Sequence, residues 1–109
     1  MEVINVPGDA EFMRLVQELS AGLVARGWQM AAAESCTGGW IAKCCTDQAG
    51  SSGWFERGFV TYSDASKQGL LGVEASTLHS AGAVSREVAL QMAEGARLKA
   101  GVDVAVAVT

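Results

Sequence analysis

Ala31-Ala32-Ala33-Glu34-Ser35-Cys36-Thr37-Gly38-Gly39-Trp40 sets the architecture of this chain, because small apolar residues run straight into a polar turn and then into a helix. Trp28 to Ala33 reads as a short buried strand. Three alanines are poor strand formers, so that assignment rests on the breaks on either side. Gly38-Gly39 allows backbone to approach a ligand closely and opens a helix over about 38–47 that carries Trp40, Ile41, Cys44 and Cys45. A strand, a tight turn and a helix in this order present a hydroxyl, a thiol and a row of backbone N–H groups at one helix N-terminus, where orphan donors and the helix dipole favour negative charge.

Upstream, residues 1–8 read as a lead-in that Pro7-Gly8 breaks before the first helix. Asp9 is the expected N-cap, and Phe12, Leu15, Val16, Leu19 and Leu23 recur at helical spacing, so residues 10–25 form an amphipathic helix that Gly27 ends. Downstream, Gly50-Ser51-Ser52-Gly53 is a loop, and residues 54–62 have strand character interrupted by Gly58. Ser63 caps a short helix over 64–71 that carries Lys67, and Gly72 closes it. A second helical piece covers 74–80, and a longer helix runs from Ser85 to Lys99 with Val88, Met92, Ala96 and Leu98 as its apolar face. Val102 to Thr109 is apolar like a central strand, with nothing after it to cover it or blunt an edge. The order α, β, α, β, α, α, α, β predicts an α/β fold, a three-layer α/β/α sandwich, with 9–109 as one domain.

A hydrophobic content of 50% with 18% charged residues suits a folded core rather than a disordered chain. Net charge is −4, from 8 Lys and Arg against 12 Asp and Glu, and no basic run stands out, so neither nucleic acid nor a membrane is an expected partner. Met1 to Pro7 lacks the basic start and long apolar region of a signal peptide, and a cytoplasmic location is expected. Cys36, Cys44 and Cys45 suit a reduced compartment. With one His and no CxxC pair, no metal site is expected.

Taken singly, the polar residues of the central stretch have plain readings. A Ser before a helix is commonly an N-cap, an isolated Lys is commonly solvated, and a Tyr at a strand end commonly packs. Several ordered blocks change that weighting. Ala33 to Gly39, Gly50 to Ser63, Lys67, Gly72-Val73 and Gly82-Ala83-Val84-Ser85 together resemble the CinA C-terminal domain family, over nearly all of residues 10–109. Stand-alone members of that family are nicotinamide mononucleotide amidohydrolases. The resemblance implies hydrolysis of that nucleotide's carboxamide to nicotinate mononucleotide and ammonia, with a small-molecule nucleotide as substrate, an α/β/α fold, no metal and no cofactor. Carried over, Ser35 is the nucleophile, Lys67 the general base and Tyr62 a partner that relays or positions the proton. Cys36, Thr37, Gly38, Gly39 and Thr109 are the candidate substrate-binding residues. The family continues past this point with a Gly-Ile-Ala-Gly-Pro loop and further strands and a helix, none of which is in this sequence. The C-terminal part of the sheet is therefore expected to be missing, and either a companion C-terminal fragment or a homo-oligomer, a dimer, is expected to cover the last strand.

These residue types suit the chemistry. A serine is a weak nucleophile without a base within hydrogen-bonding distance, and a lysine serves as base only when uncharged, a form that burial or a nearby positive charge favours. Attack on a carboxamide creates an oxyanion, and the N–H groups of Cys36 to Gly39 are the natural donors. Glu34 reads as a capping carboxylate in preference to an orienting one, Thr37 as a cap or a substrate contact, and Trp40, Trp54, Phe55 and Phe59 as core or subunit contacts. Two competing readings stay open: Cys36 as a thiolate nucleophile at the helix start, and a non-catalytic phosphate- or nucleotide-binding or assembly domain.

Overall fold

The computed structural model of the protein describes residues 8–109, so most of the expected lead-in lies outside the described residues. Its elements follow the expected order: α1 (Asp9–Arg26), β1 (Met30–Glu34), α2 (Trp40–Thr46), a 3-10 turn (Ser51–Gly53), β2 (Phe55–Val60), α3 (Asp64–Leu71), α4 (Ala75–Ala81), α5 (Arg86–Ala100) and β3 (Val104–Val108).

The three strands are parallel, in the order β2-β1-β3. Parallel neighbours need crossover connections, which the helices supply. Side chains alternate along β1, and each face has its own cover. Ala31 and Ala33 join Phe59, Leu71, Val73, Val88, Met92, Ala96 and Val102 under α3 and α5. Met30 packs on the opposite face with Val16, Leu23, Cys45 and Trp54 under α1 and α2. The result is the expected three-layer arrangement, and it explains the alanines: β1 is buried along its whole length between two helical layers, where small side chains let both layers approach.

One local expectation is corrected. Asp9 is the first helical residue of α1 and not its cap. Gly8 holds the extended N-cap conformation, and its carbonyl accepts from the N–H groups of Glu11 and Phe12. The last strand, though apolar enough to be central, stands at the edge that a sheet without its C-terminal part leaves: among the described residues β3 pairs with β1 alone, and Val106 is 42% exposed. The uncovered face of β3 continues into an apolar groove between α1 and α2, of about 340 Å³, lined by Leu15, Leu19, Trp40, Ile41 and Val106 among others. Only Val16 and Leu23 of the expected α1 stripe are buried, because Leu15 and Leu19 face this groove.

Candidate active site

The connection from β1 to β2 runs one way along the sheet and the connection on to β3 runs the other, so the strand order reverses at β1. In open α/β sheets, ligands bind outside the carboxyl ends of the strands at such a reversal. Ser35 is the residue after β1. Its N–H donates to the Val108 carbonyl at 2.9 Å, continuing the ladder by one step, and the residue is only 7% exposed.

Lys67 comes to Ser35 from α3. The helix start is fixed by Ser63, whose Oγ accepts the Ser66 N–H at 3.1 Å, and Lys67 lies one turn in with its side chain running beneath the sheet end. Its Nζ donates to Ser35 Oγ at 2.9 Å and to the Tyr62 carbonyl at 2.8 Å, and the residue is 1% exposed. No carboxylate pairs with it among the described residues. The other buried charged residue, Glu34, alternates onto the opposite face of β1 and is fully engaged there. Its carboxylate accepts from Thr37 Oγ1 at 2.8 Å, from the Ile41 N–H at 2.8 Å and from the Ala42 N–H at 3.0 Å, which caps α2 from outside the helix.

Of the three side chains expected to carry the chemistry, the structure brings Ser35 and Lys67 together. Tyr62 meets them through its backbone carbonyl, and the residue is 78% exposed. The turn after Ser35 divides its amides. The Gly38 N–H closes the turn onto the Ser35 carbonyl at 3.1 Å, whereas the N–H groups of Cys36, Thr37 and Gly39 have no partner among the described residues. Gly38 and Gly39 both sit at positive φ, 62° and 111°, which a side chain would strain. Thr37 is tied to Glu34 by its hydroxyl, and the Cys36 thiol is exposed. Thr109 stands beside Ser35 on the β3 side, and its Oγ1 donates to the Ala83 carbonyl at 2.8 Å, joining the sheet end to the connection before α5. Burial pushes the Cys44 thiol up and the Cys45 thiol up to about 11.

Sequence reasoning passed over Thr61. It stands beside Ser35 on the β2 side, its N–H donates to the Glu34 carbonyl at 2.8 Å, and it is fully buried with a hydroxyl that has no partner among the described residues. Its signal lay in the alternation of Phe59 and Thr61, which puts a polar residue on a core-facing position at a strand end.

A family model of the CinA C-terminal domain matches residues 13–109. The chain belongs to the CinA C-terminal domain family. It is 60% identical over 92 residues to a nicotinamide-nucleotide amidohydrolase, PncC, of Enterobacter agglomerans, covering 84% of this chain and 56% of that protein. It is 52% identical over 101 residues to the protein of the same name from Escherichia coli K12, covering 93% and 61%. Among solved structures, a CinA superfamily protein from Escherichia coli superposes with a TM-score of 0.90 at 33% identity, covering 99% of this chain and 63% of that one. A competence/damage-inducible protein from Agrobacterium tumefaciens gives 0.82 at 43%, covering 96% and 62%. The chain thus spans about three-fifths of the length of these CinA relatives. Among the described residues no helix is long and apolar enough to cross a membrane.

Proposed function

We propose that Ser35 and Lys67 form the nucleophile and base of an amidohydrolase that converts nicotinamide mononucleotide to nicotinate mononucleotide and ammonia in the cytoplasm. The single observation that carries this reading is the 2.9 Å contact between Lys67 Nζ and Ser35 Oγ in a site withdrawn from water. The names of the relatives supply the substrate.

As base, the Lys67 amine accepts the Ser35 hydroxyl proton across the 2.9 Å contact, so that Ser35 donates where Nζ donates in the resting site, while an N–H kept on the Tyr62 carbonyl holds the amine in place. Ser35 Oγ then bonds to the carboxamide carbon. The carbonyl oxygen gathers negative charge beside the free N–H groups of Cys36, Thr37 and Gly39, each such donor being worth about 2.7–4 kcal/mol in comparable sites. Collapse breaks the C–N bond, and ammonia leaves with the proton that Lys67 had taken. Water activated by the same amine cleaves the Ser35 ester and returns the site to its starting state. In this reading Tyr62 positions the base through its carbonyl, and Thr109 holds the neighbouring wall through Ala83.

The test is ammonia release from nicotinamide mononucleotide. Ser35→Ala and Lys67→Met are each expected to lower kcat roughly 10³-fold or more, since members of a nucleophile–base unit fail together. Cys36→Ser is expected to keep activity, because the Lys67 amine is committed to Ser35 and not to the exposed thiol. Undiminished turnover in Ser35→Ala defeats the mechanism, and loss confined to Cys36→Ser transfers it to the thiol.

A further inference from the structure

At the carboxyl end of the sheet three hydroxyl residues stand in a row. The last register pairs are Glu34 opposite Val60 and Glu34 opposite Val108, so one step further Ser35 lies between Thr61 and Thr109. Neighbouring residues in a parallel sheet point to the same face, about 4.8 Å apart from strand to strand. The face is the one under α3 and α5, since Ala33 and Phe59, two residues before Ser35 and Thr61, both lie in that core, as does Leu71 of the helix that carries Lys67. The Thr109 hydroxyl is taken by Ala83 and the Ser35 hydroxyl by Lys67. The Thr61 hydroxyl, wholly enclosed, has no partner among the described residues.

A buried hydroxyl without a partner costs about 1–3 kcal/mol, and a folded chain rarely keeps one without a use. The neighbouring amine has the matching need. When Lys67 takes the Ser35 proton it becomes an ammonium with three donors, and the resting site offers it two acceptors, Ser35 Oγ and the Tyr62 carbonyl. In the tetrahedral adduct Ser35 Oγ is an ether-type oxygen crowded by the new C–O bond and a weak acceptor, so the ammonium's three donors face one firm acceptor while the buried charge persists. Resting on the amidohydrolase reading above, we infer that Thr61 is a positioning residue whose hydroxyl accepts from the Lys67 ammonium during acylation. Being fully enclosed, it acts through the lysine and does not touch substrate.

The test compares Thr61→Val, which keeps the shape and removes the hydroxyl, with Thr61→Ser, which keeps the hydroxyl. Thr61→Val is expected to lower kcat roughly tenfold, in line with a hydrogen bond to a charged group. KM is expected to stay within about twofold, as for an interaction made only after binding. Its melting temperature is expected to be at or above that of the parent, since no polar atom is left stranded, and Thr61→Ser is expected to restore kcat. Should the valine variant not fold, Thr61→Ala takes its place. A hydroxyl-free variant that folds and turns over like the parent overturns the inference. A fluorophosphonate probe separates this from the substrate question, because phosphonylation forms a Ser35 Oγ–P bond, expels fluoride and sends the same proton to Lys67. If the parent chain labels at Ser35 without hydrolysing nicotinamide mononucleotide, slower labelling of Thr61→Val with recovery in Thr61→Ser upholds Thr61 while the substrate reading falls. Equal labelling rates overturn Thr61 alone, and a parent that neither labels nor turns over defeats both.

Discussion

At the residue scale, the site depends on which polar groups are allowed to face one another. Lys67 and Glu34 are both buried, yet alternation along β1 sends Glu34 to the α2 side and leaves Lys67 with hydroxyl and carbonyl acceptors only. The cysteines divide by the same logic of placement. Cys36 is exposed, whereas Cys45 is buried and its thiol is pushed up to about 11 by loss of solvent. The folded state therefore keeps a proton that the unfolded chain gives up at lower pH, so stability attributable to Cys45 is present at neutral pH and is lost as pH rises from the ordinary thiol range through about 11. Urea melts across that window are expected to show a shallower alkaline decline for Cys45→Ala than for the parent. At neutral pH, iodoacetamide is expected to modify Cys36 in the folded chain and to spare Cys45, as intact mass and peptide mapping will report.

At the scale of elements, two contacts hold the helices that frame the turn. Glu34 gives the N–H groups at the start of α2, which have no partner within the helix, a carboxylate from the strand before it, so helix and turn are tied by one side chain. Glu34→Gln replaces one acceptor oxygen by a donor that faces an N–H or hydroxyl, and is expected to cost about 1–3 kcal/mol and to lower activity by loosening the turn after Ser35. Thermal melts and ammonia release check the two effects together. Gly95, in the middle of α5, is the second contact. Helix propensity alone favours Ala there by about 1 kcal/mol. A Cβ at that position would lie 1.9 Å from the Leu71 carbonyl oxygen, at the end of the helix that carries Lys67. Steric overlap with backbone wins, and Gly95→Ala is expected to destabilise the fold by roughly 1–3 kcal/mol in denaturant melts. A stabilised Gly95→Ala would show that α3 and α5 are not in close contact.

At the scale of the molecule, the outer edge of β3, unpaired among the described residues, and the apolar groove beside it are the surfaces left open. An unpaired, half-apolar edge strand is a template for another strand. Since the chain spans about three-fifths of the length of its relatives, the occupant proposed is a segment equivalent to the length it does not span. Co-expression with that segment from the Escherichia coli relative is expected to give a one-to-one complex with a higher melting temperature and slower exchange at the β3 amides. A monodisperse monomer that ignores the segment counts against it, and self-association through the same edge points to a dimer of the chain instead.

The order of elements, the two-sided burial of β1 and the strand–turn–helix placement of Ser35 were legible in the sequence because they follow from local signals: apolar periodicity, Ser63 and Ser85 as caps, and glycine breaks. The pairing of Ser35 with Lys67 was legible only through family likeness, since residues 32 apart carry no local mark of contact. Two things were decided by tertiary structure alone. Tyr62 meets Lys67 through its carbonyl and is left largely exposed, because the chain leaves β2 for α3 at that point. Thr61 becomes the unmatched hydroxyl because parallel register, a property of two strands and not of one, sets it beside Ser35.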